Sequence, residues 1–401
     1  MGPRRDPFRT EPACSLFALP NSSRYTFGGA GWKLRKIRSF GVDPRGMKTT
    51  TKSRLSPYYC TVIAFFVIFF NVYSQAQQTS SLPEDWPNWA YGYLEPLMEG
   101  DRIAPPCPID AKPLDCAYRS PPATDDGLKF SLLGTSLSFT ASEADYDYGP
   151  ADWYPDDHPL MPAVVEQGRQ AEKIRACSLC HYPNGQGKME NGHVAGLPYS
   201  YILAQLEIFS KGDRRSADPR KANTNEMAMI AKSLTEEEKQ IVARYFSSID
   251  FKPLVNVIET TEAPQVRMTM NGLMLPIEDM PFAPLGNRII EVPTNPQRTA
   301  IMRDPRGIFT SYVPIGSLEK GKLLVETNNN KTIQCGICHG PDQTGLADIP
   351  SIAGRTASYT MRQLWDIKQG TRKSPIMVPI VTNLNADDML NISAYLASLP
   401  P

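Results

Sequence analysis

Apolar residues recur with a helical period in two widely separated stretches of this 401-residue chain. Val242, Tyr245, Phe246 and Ile249 fall at i, i+3, i+4 and i+7, and so do Ile392, Tyr395, Leu396 and Leu399. Each set puts one apolar stripe on a predicted helix. Thr235 with Glu238 reads as a capping box opening the first helix, and Asn385 with Asp388 as a looser version opening the second. Upstream of these, Val164 to Ala176 and Leu318 to Val325 are predicted helices, the latter followed by Asn328-Asn329-Asn330. Between the two helical regions, residues 252–315 are punctuated by Pro253, Pro264, Pro276, Pro281, Pro284, Pro293, Pro296 and Pro305, which excludes long helices. Short extended pieces such as Arg288 to Val292 are expected to form a small sheet there. Residues 77–162 are rich in Pro, Asp, Tyr and Trp, with Trp86, Trp89 and Trp153 among them, and show no helical period. They hold too many aromatics for simple disorder and are expected to wrap the first helical unit.

The two helical regions are copies of one another. A shift of 158 residues superposes Cys177 on Cys335, His181 on His339, Ala195-Gly196 on Ala353-Gly354, Tyr201 on Tyr359, Gln205-Leu206 on Gln363-Leu364, and Gly212 on Gly370. Beyond that point a shift of 150 superposes Met227 on Met377, Ile230 on Ile380, Leu234 on Leu384, Tyr245 on Tyr395 and Ile249 on Leu399. The first copy therefore carries eight extra residues between Gly212 and Met227.

The chemistry sits in a repeated pentapeptide, Cys177-Ser178-Leu179-Cys180-His181 and Cys335-Gly336-Ile337-Cys338-His339. C-x-x-C-H is the attachment signature of c-type haem: Cys177, Cys180, Cys335 and Cys338 would form thioethers, and His181 and His339 would lie against the irons. Eight Cys and four His in 401 residues give about 0.002 chance matches, so two copies are not an accident. The rival is one zinc site built from both Cys pairs, but zinc does not require His directly after each second Cys. A thioredoxin-like motif lacks its alternating strands and helices here.

A low-spin electron-transfer haem takes a second axial ligand, and Met opposite His raises the potential because a soft thioether stabilises ferrous iron. Fifteen Met make any single one a weak candidate, since most Met fills core. Register singles out Met227 and Met377, each three residues before an Ile, seven before a Leu and just ahead of a predicted helix. Met229 and then Met189 are the rivals in the first copy. His193 and His158 are the alternative for bis-imidazole ligation, but Ser351 stands where a repeat of His193 would fall, and both are expected to be ordinary surface or loop histidines.

With these residues in place the chain resembles the class I cytochromes c, and the tandem arrangement is similar to the diheme cytochrome c-four family. The resemblance covers roughly residues 163–251 and 316–400 and rests on C-x-x-C-H, Val194-Ala195-Gly196 with Ile352-Ala353-Gly354, the Tyr-x-x-x-Gln-Leu helix and the Met-x-x-Ile-x-x-x-Leu stretch. It implies a mainly α fold of two tandem cytochrome c domains, two covalently attached haem c groups with His181/Met227 and His339/Met377 as iron ligands, and electron shuttling outside the cytoplasmic membrane. Two features depart from the family. A Pro that commonly offers its carbonyl to the proximal imidazole is matched by Pro350, whereas Gly192 holds that place in the first copy, leaving the partner of His181 open. The other departure is the surplus chain: the 77–162 extension and a connector, both expected to be irregular.

Attachment of haem c points to an exported protein. From Met47 to Arg54 runs a basic n-region, Val62 to Phe70 is an unbroken apolar stretch, and Ser74-Gln75-Ala76 is a small-x-small cleavage site. The expectation is a signal peptide over residues 47–76, translation from Met47, residues 1–46 as a misread upstream start, and a mature chain in the periplasm. The apolar stretch is short for a span, which takes about 20 residues, so a retained anchor or peripheral membrane association is the alternative. The full chain balances 42 basic against 42 acidic residues; removing residues 1–76, with 12 and 3, leaves 30 against 39, a net of −9. That disfavours nucleic acid and suits redox protein partners with basic docking patches. Cys107 and Cys116 then read as a disulfide. Met268, Met270, Met274 and Met280 cluster in the connector, where packing and a Met-rich copper site are the competing readings. The functional expectation is a diheme electron carrier rather than an enzyme with its own substrate. Its rivals are an electron-accepting subunit of a quinoprotein-type dehydrogenase and a diheme peroxidase, and matching Met positions argue against the last.

Overall fold

A computed structural model of the chain describes residues 85–98, 100–101 and 126–401. The signal, start and Cys107–Cys116 expectations lie outside these residues. Helices build the two repeat units, and their boundaries keep the register of the duplication. Tyr199–Ser210 in the first unit matches Ala357–Lys368 in the second, and the closing helices are Glu236–Ser247 and Ala386–Ser398. Both closing helices open with complete capping boxes, Thr235 with Glu238 and Asn385 with Asp388, so the second is no looser than the first. Among the described residues no helix is long and apolar enough to cross a membrane.

The opening helices differ. Ser317–Thr327 forms as expected and ends where Asn328, Asn329 and Asn330 all take positive φ, a conformation Asn tolerates better than most residues. It packs tightly on the last helix at Gly321, where a Cβ would lie 2.0 Å from the Asn391 carbonyl oxygen. The predicted helix over Val164 to Ala176 is corrected to one turn, Ala163–Glu166. Gly168 takes φ +63°, its missing Cβ would fall 2.3 Å from the Ile174 oxygen, and Arg169 turns back to bridge Ile174.

Met227 is also placed differently from expectation. It sits inside a helix, Ala222–Ser233, and not ahead of one. Its counterpart Met377 precedes a single turn, Val378–Val381, because Pro375 and Pro379 interrupt the equivalent segment.

The connector is not irregular: seven of the strands lie in it. Val255–Glu259 runs parallel to Phe309–Val313, which pairs antiparallel with Ile290–Pro293. Val266–Met268 and Met274–Pro276 form a small hairpin, so Met268 and Met274 face each other across a strand pair. Met274 is fully buried and its sulfur accepts the Glu291 amide, while Met270 and Met280 are exposed, which supports packing for this group.

One apolar cluster fills the first unit, and a larger one joins the second unit to the connector and to Trp86, Trp89 and Tyr91. The expectation that the extension wraps the first unit is therefore half corrected. Its start packs on the second unit: Trp86 meets Trp365 edge-on with ring centres 5.5 Å apart, and the Tyr91 hydroxyl donates to Asp366 at 2.6 Å. Its later part lies against the first unit, where the Asp147 carbonyl accepts the Ala176 amide at 3.0 Å, and against the connector, where the Trp153 indole donates to the Met302 carbonyl at 2.6 Å.

Candidate functional site

Each C-x-x-C-H segment forms a short helix, Cys177–His181 and Gly336–His339. The chain then turns back identically in both copies. His181 O accepts Gly187 N at 2.9 Å as His339 O accepts Gly345 N at 2.8 Å, and the Val194 and Ala195 amides meet Gly185 O as Ile352 and Ala353 meet Gln343 O. This loop carries a carbonyl beneath each imidazole. His181 Nδ1 is 2.8 Å from Gly192 O, and His339 Nδ1 is 2.8 Å from Pro350 O. A carbonyl only accepts, so Nδ1 bears the proton and Nε2 keeps a free lone pair. Gly192 thus does for His181 what Pro350 does for His339, because a backbone carbonyl needs no proline to be in place.

Burial holds both imidazoles below the usual histidine range and keeps them neutral. It also pushes the Cys177 thiol up to about 12 and that of Cys335 up to about 11, so both are thiols and not thiolates. Among the described residues no group of three or more His, Cys, Asp or Glu comes together to hold a metal ion, which removes the shared zinc site.

Cys177, Cys180 and His181 open into a cavity of about 340 Å³, walled by Leu197, Ile202, Leu206, Val242 and Phe246. Met227 lines it; Met229 is buried outside its lining, and Met189 is buried in the cluster of the second unit. Its lining also includes Arg214, Lys221 and Arg362, together with Asp366. Lys221 is 5% exposed, donates to the Asn271 carbonyl at 2.9 Å, and is held down to about 7 by burial and then by Arg362. An apolar slot lined by two thiols, an imidazole and buried basic side chains fits a haem with its propionates. In the second unit Cys335 and Met377 pack on the same cluster, and His339 is 9% exposed.

His193 is not a surface histidine. It is 1% exposed, with one ring nitrogen on the Gln186 carbonyl and the other 2.8 Å from Thr356 Oγ1 of the second unit. Both nitrogens are used, so it binds the two units together and is free for no iron. His158 is partly buried against Tyr245, with Asp152 at 3.2 Å. Sequence reasoning also missed the joint built by the repeat itself. Arg214 reaches Gln205 at 2.6 Å and Gln363 at 2.7 Å; Arg372 reaches Gln363 at 2.8 Å, Tyr201 at 2.9 Å and Gln205 at 3.1 Å. The shift of 158 pairs these arginines, glutamines and tyrosines with one another.

The family model for cytochrome c matches residues 165–250. Cytochrome c4 of Stutzerimonas stutzeri is 34% identical over 251 residues, covering 60% of this chain and 91% of that one. The chain belongs to the cytochrome c4 family. Its cofactors are two covalently attached haem c groups. This chain spans about a third of the length of other curated relatives that it matches. One is the thiosulfate dehydrogenase electron acceptor of Stutzerimonas stutzeri strain A1501, 38% identical over 18% of this chain and 34% of that one. The solved structure of cytochrome c4 from Acidithiobacillus ferrooxidans is 20% identical, covers 56% of this chain and 98% of that one, and gives a TM-score of 0.35.

Proposed function

We propose that this cytochrome c4 relative carries single electrons between redox proteins of the periplasm. Residues 163–251 and 316–400 are its two cytochrome c domains, with Cys177, Cys180, His181 and Met227 holding one haem and Cys335, Cys338, His339 and Met377 the other. Bound haem supplies a one-electron ferric/ferrous couple. The observation that carries this reading is the duplicated His–carbonyl contact at 2.8 Å, which leaves Nε2 free beside two thiols in both copies. Around it, Gly192 and Pro350 fix the imidazole tautomers, the apolar wall excludes water, and Arg214, Lys221 and Arg362 supply positive charge for propionates. Rigid anchoring at both ends means little rearranges when charge moves.

The test is a pyridine haemochrome count with magnetic circular dichroism of Met227→His and Met377→His. Two haems per chain and loss of one Met–iron charge-transfer band in each variant are expected. An unchanged first-unit band in Met227→His transfers the role to Met229 or Met189.

A second reading, an electron-accepting partner of a dehydrogenase, draws on relatives named as thiosulfate dehydrogenase electron acceptors. The large extension and connector also favour it, being surplus to a free carrier. A stoichiometric dehydrogenase copurifying from the periplasm distinguishes it from the free carrier.

A further inference from the structure

In the first unit the helix that carries Met227 is tied across the cavity to the haem-attachment segment. Arg175 stands two residues before Cys177, and Glu226 directly before Met227. Both are buried, and both line the cavity together with Cys177 and Met227. Arg175 Nε donates to Glu226 Oε1 at 2.6 Å and Nη2 donates to the same oxygen, while Nη1 meets Asp147 of the extension at 3.5 Å. Asn191, next to the Gly192 that holds His181, donates to the Cys180 carbonyl at 3.2 Å and accepts from Asn223 of the Met227 helix at 2.9 Å. Arg169 reaches the far end of that helix, donating to the Ser233 carbonyl at 2.7 Å.

The second unit is tied differently. By the register of the repeat, Ile333 and Ile376 take the places of the ion pair, and Ile349 that of Asn191. Ile333 and Ile376 are exposed. Across the equivalent gap the Thr332 hydroxyl donates to the Ile380 carbonyl at 2.7 Å, a contact without charge. Met377 itself precedes only the single turn Val378–Val381, between Pro375 and Pro379.

A hydrogen bond between ionised groups is roughly twice as strong as a neutral one. For Met227 to leave an iron its helix has to lift, and lifting it parts Arg175 from Glu226 and strands two buried charges. For Met377 the same motion parts a neutral contact at an exposed edge. Short segments with exposed backbone and few buried contacts are the first to open.

We propose that Arg175 is a positioning residue for Met227: acting through Glu226, it pins the methionine-bearing helix to the attachment segment, so that the first iron keeps its thioether. Met377, which has no such strap, is the exchangeable ligand, and the second iron is where a small nitrogen donor such as imidazole binds. This rests on the assignment of Met227 and Met377 as iron ligands above. In the exchange the nitrogen lone pair of the incoming ligand forms a bond to iron as the sulfur–iron bond breaks; no electron is transferred and no proton moves.

The experiment mixes the ferric, haem-loaded, full-length protein with imidazole in a stopped-flow instrument and follows loss of the Met–iron charge-transfer band. Two phases of similar amplitude are expected, with rates at least about tenfold apart, since a hydrogen bond between charged groups is worth more than one factor of ten. Met377→His should abolish the fast phase and leave the slow one. In Arg175→Ile combined with Glu226→Ile, which copies the second unit, the slow phase should accelerate about tenfold or more even though thermal stability recovers from that of Arg175→Ile alone. Arg175→Lys keeps the charge without the two-nitrogen grip of the guanidinium and should fall between. A single phase in the wild-type protein would overturn the proposal. So would a slow phase that returns to the wild-type rate in the paired variant as stability recovers, the ion pair then serving stability alone. A first-unit band that survives in Met227→His refutes the ligand assignment instead.

Discussion

Replacing Glu291 by Ala should unlatch the second haem unit from the connector. Glu291 is fully buried on the Ile290–Pro293 strand. Its carboxylate accepts the Ala357 amide at 2.8 Å, the Ser358 amide at 3.2 Å and the Ser358 hydroxyl at 2.5 Å, and the Ser311 hydroxyl as well. Ala357 and Ser358 are the first two residues of the Ala357–Lys368 helix, whose opening amides have no partner within the helix. Glu291 therefore caps that helix from 66 residues away and places negative charge at its positive end. Truncation leaves two buried amides unpaired at about 1–3 kcal/mol each, while the serine hydroxyls turn to other acceptors. The expected loss is about 4 kcal/mol, or roughly three powers of ten in the folding equilibrium. Glu291→Gln keeps one acceptor oxygen and should lose about half as much. Equilibrium urea unfolding of the haem-loaded protein measures this by far-ultraviolet circular dichroism, with the second-unit Met–iron band as a local probe. A loss below about 1 kcal/mol for Glu291→Ala would refute the capping argument.

Arg175→Ile alone should cost about 3–5 kcal/mol, because Glu226 is left buried and charged; adding Glu226→Ile, which copies the second unit, should restore much of it in thermal unfolding. Burial raises the Asp366 carboxyl from its ordinary 3.8 to about 6. Between these values the unfolded chain is ionised at this group and the folded chain is not. Its contribution is therefore complete below pH 4 and is lost as pH rises through 6, by on the order of 3 kcal/mol. Asp366→Asn should flatten that fall in a pH series of urea midpoints, and equal slopes for both proteins would contradict it.

What the sequence revealed was local. C-x-x-C-H, the apolar stripes of the closing helices and the Asn-rich stop after Ser317–Thr327 are each complete within about fifteen residues, so period and spacing expose them. In the connector only the extended piece Arg288 to Val292 was legible, matching the strand Ile290–Pro293, while the other strands there were not foreseen because their pairings join distant segments. The repeat register also found Met227 beside the His181 cavity, although not the helix that carries it. The remainder depends on partners distant in sequence. Gly168 turns the chain because Ile174 folds back against it. His193 looked like a loop residue because Thr356, which fills its second nitrogen, lies 163 residues away. Glu291 read as one more strand residue, since only the folded chain brings the Ala357 amide to it. The split of the extension between two units was invisible for want of any helical or strand period to assign its faces.

Duplication and added chain play opposite parts in this molecule. The joint between the units is nearly two-fold: Arg215 N donates to Thr371 O and Lys373 N to Asp213 O, both at 2.8 Å, and each arginine of the Arg214/Arg372 pair reaches the glutamines of both copies. An interface made from two copies of one surface supplies each contact twice, and by itself gives the two haem sites equal surroundings. Inequality enters through residues outside the repeat. The eight-residue insertion carries Arg220, which stacks 3.9 Å over Tyr93 and bonds to Glu95 O and Asn88, and the neighbouring Lys221 reaches the connector at Asn271. These contacts fasten the extension and connector to the first unit as well as to the second, and they bring the buried Lys221 to its cavity. The same added chain covers the attachment helix of the first unit and leaves Ile333 and Ile337 of the second exposed, so the two units differ through the insertion, extension and connector and not through the duplicated haem motifs.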